Sequence, residues 1–183
     1  MSNYYLDIET TGLEPIDNKV ITIQWCEIER YTGKKVGELN ILKEWESSEK
    51  EILEEFADAV TLTDPYAFTF IPIGYNLGFE HKFLSYRSDF HKTFPIEINT
   101  RPHIDLHQLA ILLNGGEFKG TKLNDMTNKP SDGKSIPTWY ENKEFDKINE
   151  YIVKEAEEFI GFIEWAYKTT PTLLPGLKDH FNN

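Results

Sequence analysis

Cys26 is the single cysteine in 183 residues, so no intramolecular disulfide can form and a hydrophobic core must hold the fold. Apolar runs are short, and none approaches the roughly 20 residues of a membrane-spanning helix. The N-terminus enters a strand pattern directly, without a leader, which sets the expectation of a cytoplasmic protein with no membrane partner. Basic residues are outnumbered, 19 Lys and Arg against 31 Asp and Glu, and a net charge of -12 argues against a firm grip on duplex phosphates. Internal repeats and low-complexity tracts are absent. A hydrophobic content of 39% over this length suits one α/β domain, read as residues 1–169, followed by a tail, 170–183, that carries Pro171 and Pro175 and is expected to pack loosely.

Against those absences stands one concentrated feature, the segment Tyr4-Tyr5-Leu6-Asp7-Ile8-Glu9-Thr10-Thr11-Gly12-Leu13. Side chains alternate along a strand, so Asp7 and Glu9 share one face while Leu6 and Ile8 share the other. Adjacent carboxylates repel, and hard divalent cations are the usual solution. Taken alone, the pattern also describes a sheet with one wetted face.

Two further segments add to it. Ile73-Gly74-Tyr75-Asn76-Leu77-Gly78-Phe79-Glu80 runs from an apolar stretch into a helix and carries an amide, an aromatic ring and an acid. Tyr151 and Glu155 lie four apart in a long helical pattern, Glu144 to Lys168, and so share a face. At about 100° per residue, Ile148, Ile152, Phe159, Phe162, Ile163 and Ala166 gather on one side of that helix with Glu155 among them. A carboxylate facing a core costs several kcal/mol unless it is paired or binds a metal. Tyr151, at the edge of the same face, is as readily a packing residue, and Glu80, in a first helical turn, is as readily a dipole-favoured acid.

With those three motifs the chain resembles the DEDD 3′-to-5′ exonucleases of the ribonuclease H-like superfamily, in the tyrosine-bearing branch that includes the proofreading domains of DNA polymerases. The resemblance implies a ribonuclease H-like three-layer α/β fold, with a mixed central sheet and helices on both faces. It implies that Asp7, Glu9, Glu80 and Glu155 hold two divalent cations, Mg2+ or Mn2+, and that Tyr151 orients the attacking water. Thr10, Thr11, Gly12, Leu13, Asn76 and Phe79 would hold the last nucleotides of a single-stranded DNA or RNA 3′ end, within a repair or replication complex of unknown membership. Glu80 and Glu155 depart from the family, which has Asp at both places. The same resemblance leaves open a binding or scaffold module with weakened catalysis. A metal-dependent hydrolase of small phosphate esters is a further class, and it would need a closed pocket.

The remaining pattern yields elements. Strands are expected near Asn3–Ile8, Lys19–Glu29, Val36–Trp45, Ala67–Tyr75 and His103–Asp105. Helices are expected near Ser48–Leu62, capped by Ser47 or Ser48, and near Gly78–Lys92, with Phe79, Phe83, Tyr86 and Phe90 inward. Others follow at Leu106–Asn114 and Thr121–Thr127, before a loop marked by Pro130, Gly133 and Pro137. The acids Glu44, Glu46, Glu49, Glu51, Glu54, Glu55 and Asp58 read as a solvated face over Ile52, Leu53, Phe56 and Val60. Lys119, Lys122, Lys129, Lys134 and Lys143, interleaved with Trp139 and Tyr140, could follow a strand and stack a base, or form an exposed loop around two buried rings. His103 and His107 straddle a strand-to-helix junction and do not read as a zinc pair; Asp105 reads as an N-cap.

Overall fold

Alternation in the first strand sorts the whole molecule. The computed structural model describes residues 2–128 and 133–182; Lys129 and Pro130 lie outside the described residues. Along the chain come β1 (Asn3–Thr10), β2 (Val20–Ile28), β3 (Lys35–Lys43), α1 (Glu49–Ala59), β4 (Ile71–Gly74), α2 (Gly78–His91) and β5 (Ile104–Asp105). Then follow α3 (Leu106–Leu113), α4 (Leu123–Met126), α5 (Ile136–Glu141), α6 (Phe145–Thr169) and α7 (Leu174–Asn182). The sheet has five strands in the order β3-β2-β1-β4-β5. The first three strands meander antiparallel, and β4 and β5 run parallel to β1, which makes the sheet mixed.

Leu6 and Ile8 face α1 and α2, where they pack with Ile52, Leu53, Phe56, Phe83 and Leu84. Tyr5, from the opposite face, packs with Leu106, Leu123, Phe159, Phe162 and Ile163 beneath α6. Each large side chain buried this way contributes about 1.5–3 kcal/mol. A third cluster, with Ile21, Ile136, Ile148, Tyr151 and Ile152, seals the β2–β3 end under α5 and α6. Three layers result, as the alternation of Leu6 and Ile8 with Asp7 and Glu9 requires.

Ser48 caps α1, its hydroxyl accepting from the Glu51 amide at 3.2 Å. Asp105 caps α3 through the His107 amide at 2.9 Å and also accepts from the amides of Asn76 and Leu77 at 2.9 and 3.0 Å, tying the entrance of α2 to that of α3.

Four expectations change. The strand sought over Ala67–Tyr75 shortens to Ile71–Gly74, because a turn takes the preceding backbone, with the Thr69 amide donating to Tyr66 O. Pro137 starts α5 rather than breaking a loop, since a proline in the first helical turn loses no helical hydrogen bond. The buried face of α2 carries Glu80, Phe83, Leu84, Arg87 and Ser88, while Tyr86 and Phe90 are exposed. Glu49 is buried, not solvated: it accepts from Arg87 Nε at 2.8 Å and Nη2 at 2.5 Å, and from the Val20 amide at 2.7 Å. The tail is helical, a 3-10 turn over Thr170–Leu173 leading into α7, with Leu173, Leu174, Leu177 and Phe181 exposed. No helix among the described residues is long and apolar enough to cross a membrane.

Candidate active site

The carboxyl ends of β1, β4 and β5 lie side by side, because these three strands run parallel. A crevice outside such ends is where open α/β sheets bind ligands. Here it is a cleft of about 490 Å³, lined by Asp7 and Glu9 from β1, Tyr75, Asn76, Phe79 and Glu80 around the β4–α2 junction, and Tyr151 and Glu155 from α6.

Asp7, Glu9 and Glu155 each bring a carboxylate oxygen to within 4.8 Å of the others. Glu155 is 6% exposed, with Asp7 and Glu9 half-buried. Two unit charges 4 Å apart cost about 1 kcal/mol in bulk water and about 4 kcal/mol near a protein surface, so such a group needs a counter-charge. Among the described lining residues Lys122 is the single ammonium. It is exposed, and His107 and Asn124 also line the cleft.

Glu80 faces the same charges. It is 4% exposed, and its Oε2 is buried without a hydrogen-bond partner. Burial, then Asp7, with Asp105 and Glu155 adding to it, push its carboxyl well above the usual carboxylate range. A buried orphan oxygen aimed into an acidic cleft fits a cation ligand.

Tyr151 is 4% exposed and hydrogen-bonded to Glu155; burial first, then Glu155 and Glu9, hold its phenol protonated far above neutral pH. Tyr5, fully buried behind the acids, is raised for the same reasons, burial and then Asp7. The Trp139 ring lies 6.3 Å from that of Tyr151, so one of the two rings sought in the lysine-rich stretch packs inward against the cleft. Tyr140 is anchored to Glu44, 2.5 Å from its hydroxyl, with Lys19 over its ring.

The structure brings Asp7, Glu9, Asn76, Phe79, Glu80, Tyr151 and Glu155 into one cleft. Thr10, Thr11, Gly12 and Leu13 are not among the lining residues. They form the turn leaving β1, where the Thr10 hydroxyl donates to Gly12 O at 2.6 Å and Thr11 Oγ1 accepts from the Lys19 amide at 3.1 Å. The Leu13 side chain is 76% exposed. Asn76 holds a left-handed backbone, φ 67°, which asparagine tolerates better than most residues. His103 and His107 take separate partners, Arg101 O at 2.8 Å and Thr121 Oγ1 at 3.1 Å.

Sequence reasoning missed Gln24 and Thr22, which lie under the acids on β2, and Gly133, which lies against the Tyr151 phenol. A buried amide between Ile23 and Trp25, in a strand that is mostly apolar, is the available signal for Gln24.

The chain is 28% identical over 173 residues to uncharacterized protein MJ0365 of Methanocaldococcus jannaschii, covering 86% of this chain and 90% of the relative. Its fold is similar to that of E. coli exonuclease I in a zinc-bound complex with single-stranded DNA, with a TM-score of 0.64 at 12% identity, over 98% of this chain and 43% of that one. A complex of E. coli exonuclease I with a dT13 oligonucleotide aligns at a TM-score of 0.49 and 13% identity, over 68% of this chain and 34% of that one. The chain thus spans less than half the length of these exonuclease chains. A family model, described as the RNase_H superfamily, matches residues 4–147, and the chain belongs to that superfamily.

Proposed function

We propose that this protein is a metal-dependent 3′-to-5′ exonuclease that shortens single-stranded DNA or RNA to nucleoside 5′-monophosphates. The observation that carries the reading is the convergence of Asp7, Glu9 and Glu155, within 4.8 Å of one another, beside the orphaned Oε2 of Glu80. An all-oxygen, anionic donor set fits two Mg2+ or Mn2+ ions. Bound there, such cations supply charge neutralisation at the scissile phosphate and lower the pKa of a water.

The chain's own residues bind and orient. A phenol that stays protonated is not a base; with its one O–H given to Glu155, the Tyr151 oxygen orients the attacking water by accepting a hydrogen bond from it. Asn76, exposed at the α2 entrance, offers an amide to the terminal nucleotide, and Phe79 offers a half-buried ring. Leu13, exposed in the turn that leaves β1, would wedge against a base. Lys122 can meet a phosphate. With a net charge of -12, the grip is weak and salt-sensitive, suited to short single strands.

A time course on 5′-labelled single-stranded DNA and RNA, with Mn2+, Mg2+ or EDTA, tests the reading. A one-nucleotide ladder that vanishes in EDTA is expected. Internal cuts, or intact oligonucleotide at high protein concentration with either metal, would overturn it. The glutamates at 80 and 155, each one methylene longer than aspartate, favour a second reading, a binding or scaffold module with weakened catalysis. Metal-independent oligonucleotide binding without turnover would support that reading.

A further inference from the structure

Behind Asp7, on the neighbouring strand, lies a side chain that belongs to none of the acidic motifs. Gln24 stands directly opposite Asp7 in the β1–β2 register, and it is completely buried. Leaving either half of a buried amide unpaired costs about 1–3 kcal/mol, so both halves must be placed. The Nε2 donates to Asp7 Oδ2 at 2.9 Å, and Oε1 accepts from Thr22 Oγ1 at 3.0 Å. Thr22 is itself fully buried and pairs across the strands with Glu9. Tyr5 Oη approaches the same Asp7 oxygen at 3.4 Å.

This chain of contacts has one workable direction. A flipped amide would set Oε1 against a carboxylate oxygen, acceptor against acceptor. Thr22 must then donate, which fixes its hydroxyl as well. The residue type also matters. An Arg or Lys at position 24 would neutralise Asp7 and compete with a divalent cation, and an apolar residue would take away the shortest of the donors that face Oδ2. A neutral donor sets the rotation and keeps the charge.

We propose that Gln24, steadied by Thr22, is the positioning residue of the cation site, holding Oδ2 of Asp7 so that the carboxylate is oriented before a cation arrives. The inference rests on the metal-dependent reading above. Residues that orient metal ligands from behind typically govern affinity by 10- to 100-fold. In Gln24→Met, which keeps the shape and loses the donor, calorimetric titration should show Mn2+ binding weakened by about that factor. The far-UV circular dichroism should be unchanged, the electron paramagnetic resonance spectrum of bound Mn2+ should be altered, and turnover should recover as Mn2+ is raised. Thr22→Val, which removes only the donor to Gln24, should weaken Mn2+ binding in the same direction by less. Wild-type Mn2+ affinity in a folded Gln24→Met overturns the proposal; should that variant fail to fold, wild-type affinity in Thr22→Val does so. Absence of Mn2+ binding by the wild-type protein itself would instead overturn the metal-dependent reading.

Discussion

Gly133 leaves no room between its backbone and the hydroxyl of Tyr151: a Cβ at position 133 would lie 2.5 Å from the phenol oxygen and 3.1 Å from Cζ. Tyr151 is buried and packed against Trp139, so the phenol cannot yield without turning. Gly133→Ala should therefore displace the hydroxyl and lower kcat by about 100-fold, the cost of a misplacement of about 1 Å. Mn2+ affinity should hardly change. Tyr151→Phe should lower kcat by roughly 10- to 1000-fold with the same indifference to metal. Steady-state kinetics beside calorimetric titration separates the two effects, and wild-type turnover in Tyr151→Phe would reduce the phenol to a packing group.

Glu80 makes stability depend on pH in a predictable sense. Its folded-state pKa is raised above the ordinary 4.5, chiefly by burial and by Asp7. Below the ordinary value both states hold the proton and nothing is lost; as pH rises toward the folded-state value, the unfolded chain ionises freely while the folded one cannot, and stability falls. In EDTA, the wild-type protein should lose stability relative to Glu80→Gln as the pH rises from 4.5 toward the raised folded-state value. Mn2+ should close or reverse that gap at neutral pH. Scanning calorimetry across this range is the measurement, and a gap independent of pH would place the Glu80 carboxyl in an ordinary environment.

Arg87 and Glu49 hold the turn after β1 to the helical layer. Arg87 is bidentate to Glu49 and donates Nη1 to Pro15 O at 3.2 Å, with both charged side chains under 10% exposed. Removing one partner of a buried pair costs about 3–5 kcal/mol when the other charge is stranded, and the low end applies here, since Glu49 keeps His91 Nε2 and the Val20 amide, each at 2.7 Å. Arg87→Met should show that loss in urea denaturation. The double variant Arg87→Met with Glu49→Gln should lose less than the two single losses added together. A loss below about 1 kcal/mol in Arg87→Met, the worth of an exposed pair, would show that solvent screens the interaction.

The glutamates at 80 and 155 invite a direct exchange. If the cleft has adapted to the longer arms, Glu80→Asp and Glu155→Asp will each withdraw an oxygen by about one bond and lose activity, since working sites tolerate shifts of about 0.5 Å. Glu155 lies within the buried face of α6, where an unused charge would be costly, and this favours loss. Turnover with Mg2+ is the readout. A faster double variant would support the weakened-module reading.

Where the sequence is explicit, the reason is local. The period of two in β1 gives the acidic face, Ser48 marks the start of α1, and the period of 3.6 in α6 turns Glu155 inward. Where it is silent, the partner lies far along the chain. Glu49 looks like one more solvated acid in a run of them, because Arg87, which buries it, is 38 residues on. Gln24 looks like an interruption in a mostly apolar strand until the register sets it against Asp7. The inward face of α2 is hidden for the same reason: Arg87 turns inward to meet Glu49, while Tyr86 and Phe90 stay exposed. Pro137 and the turn before β4 were legible only as punctuation, which marks a boundary without saying what begins after it.

The β1–β2 ladder runs in register as far as Glu9 and shifts between Glu9 and Thr10. Since a slip of one residue exchanges the two faces of a strand, a deletion ahead of Asp7 would hand the carboxylates to the α1–α2 core and present Leu6 and Ile8 to the cleft. The same deletion beyond Glu9 falls in the turn and leaves the acids where they stand. That irregular step divides the N-terminal hairpin into a stretch whose length decides which face the acids take and a turn whose length decides only where Leu13 stands.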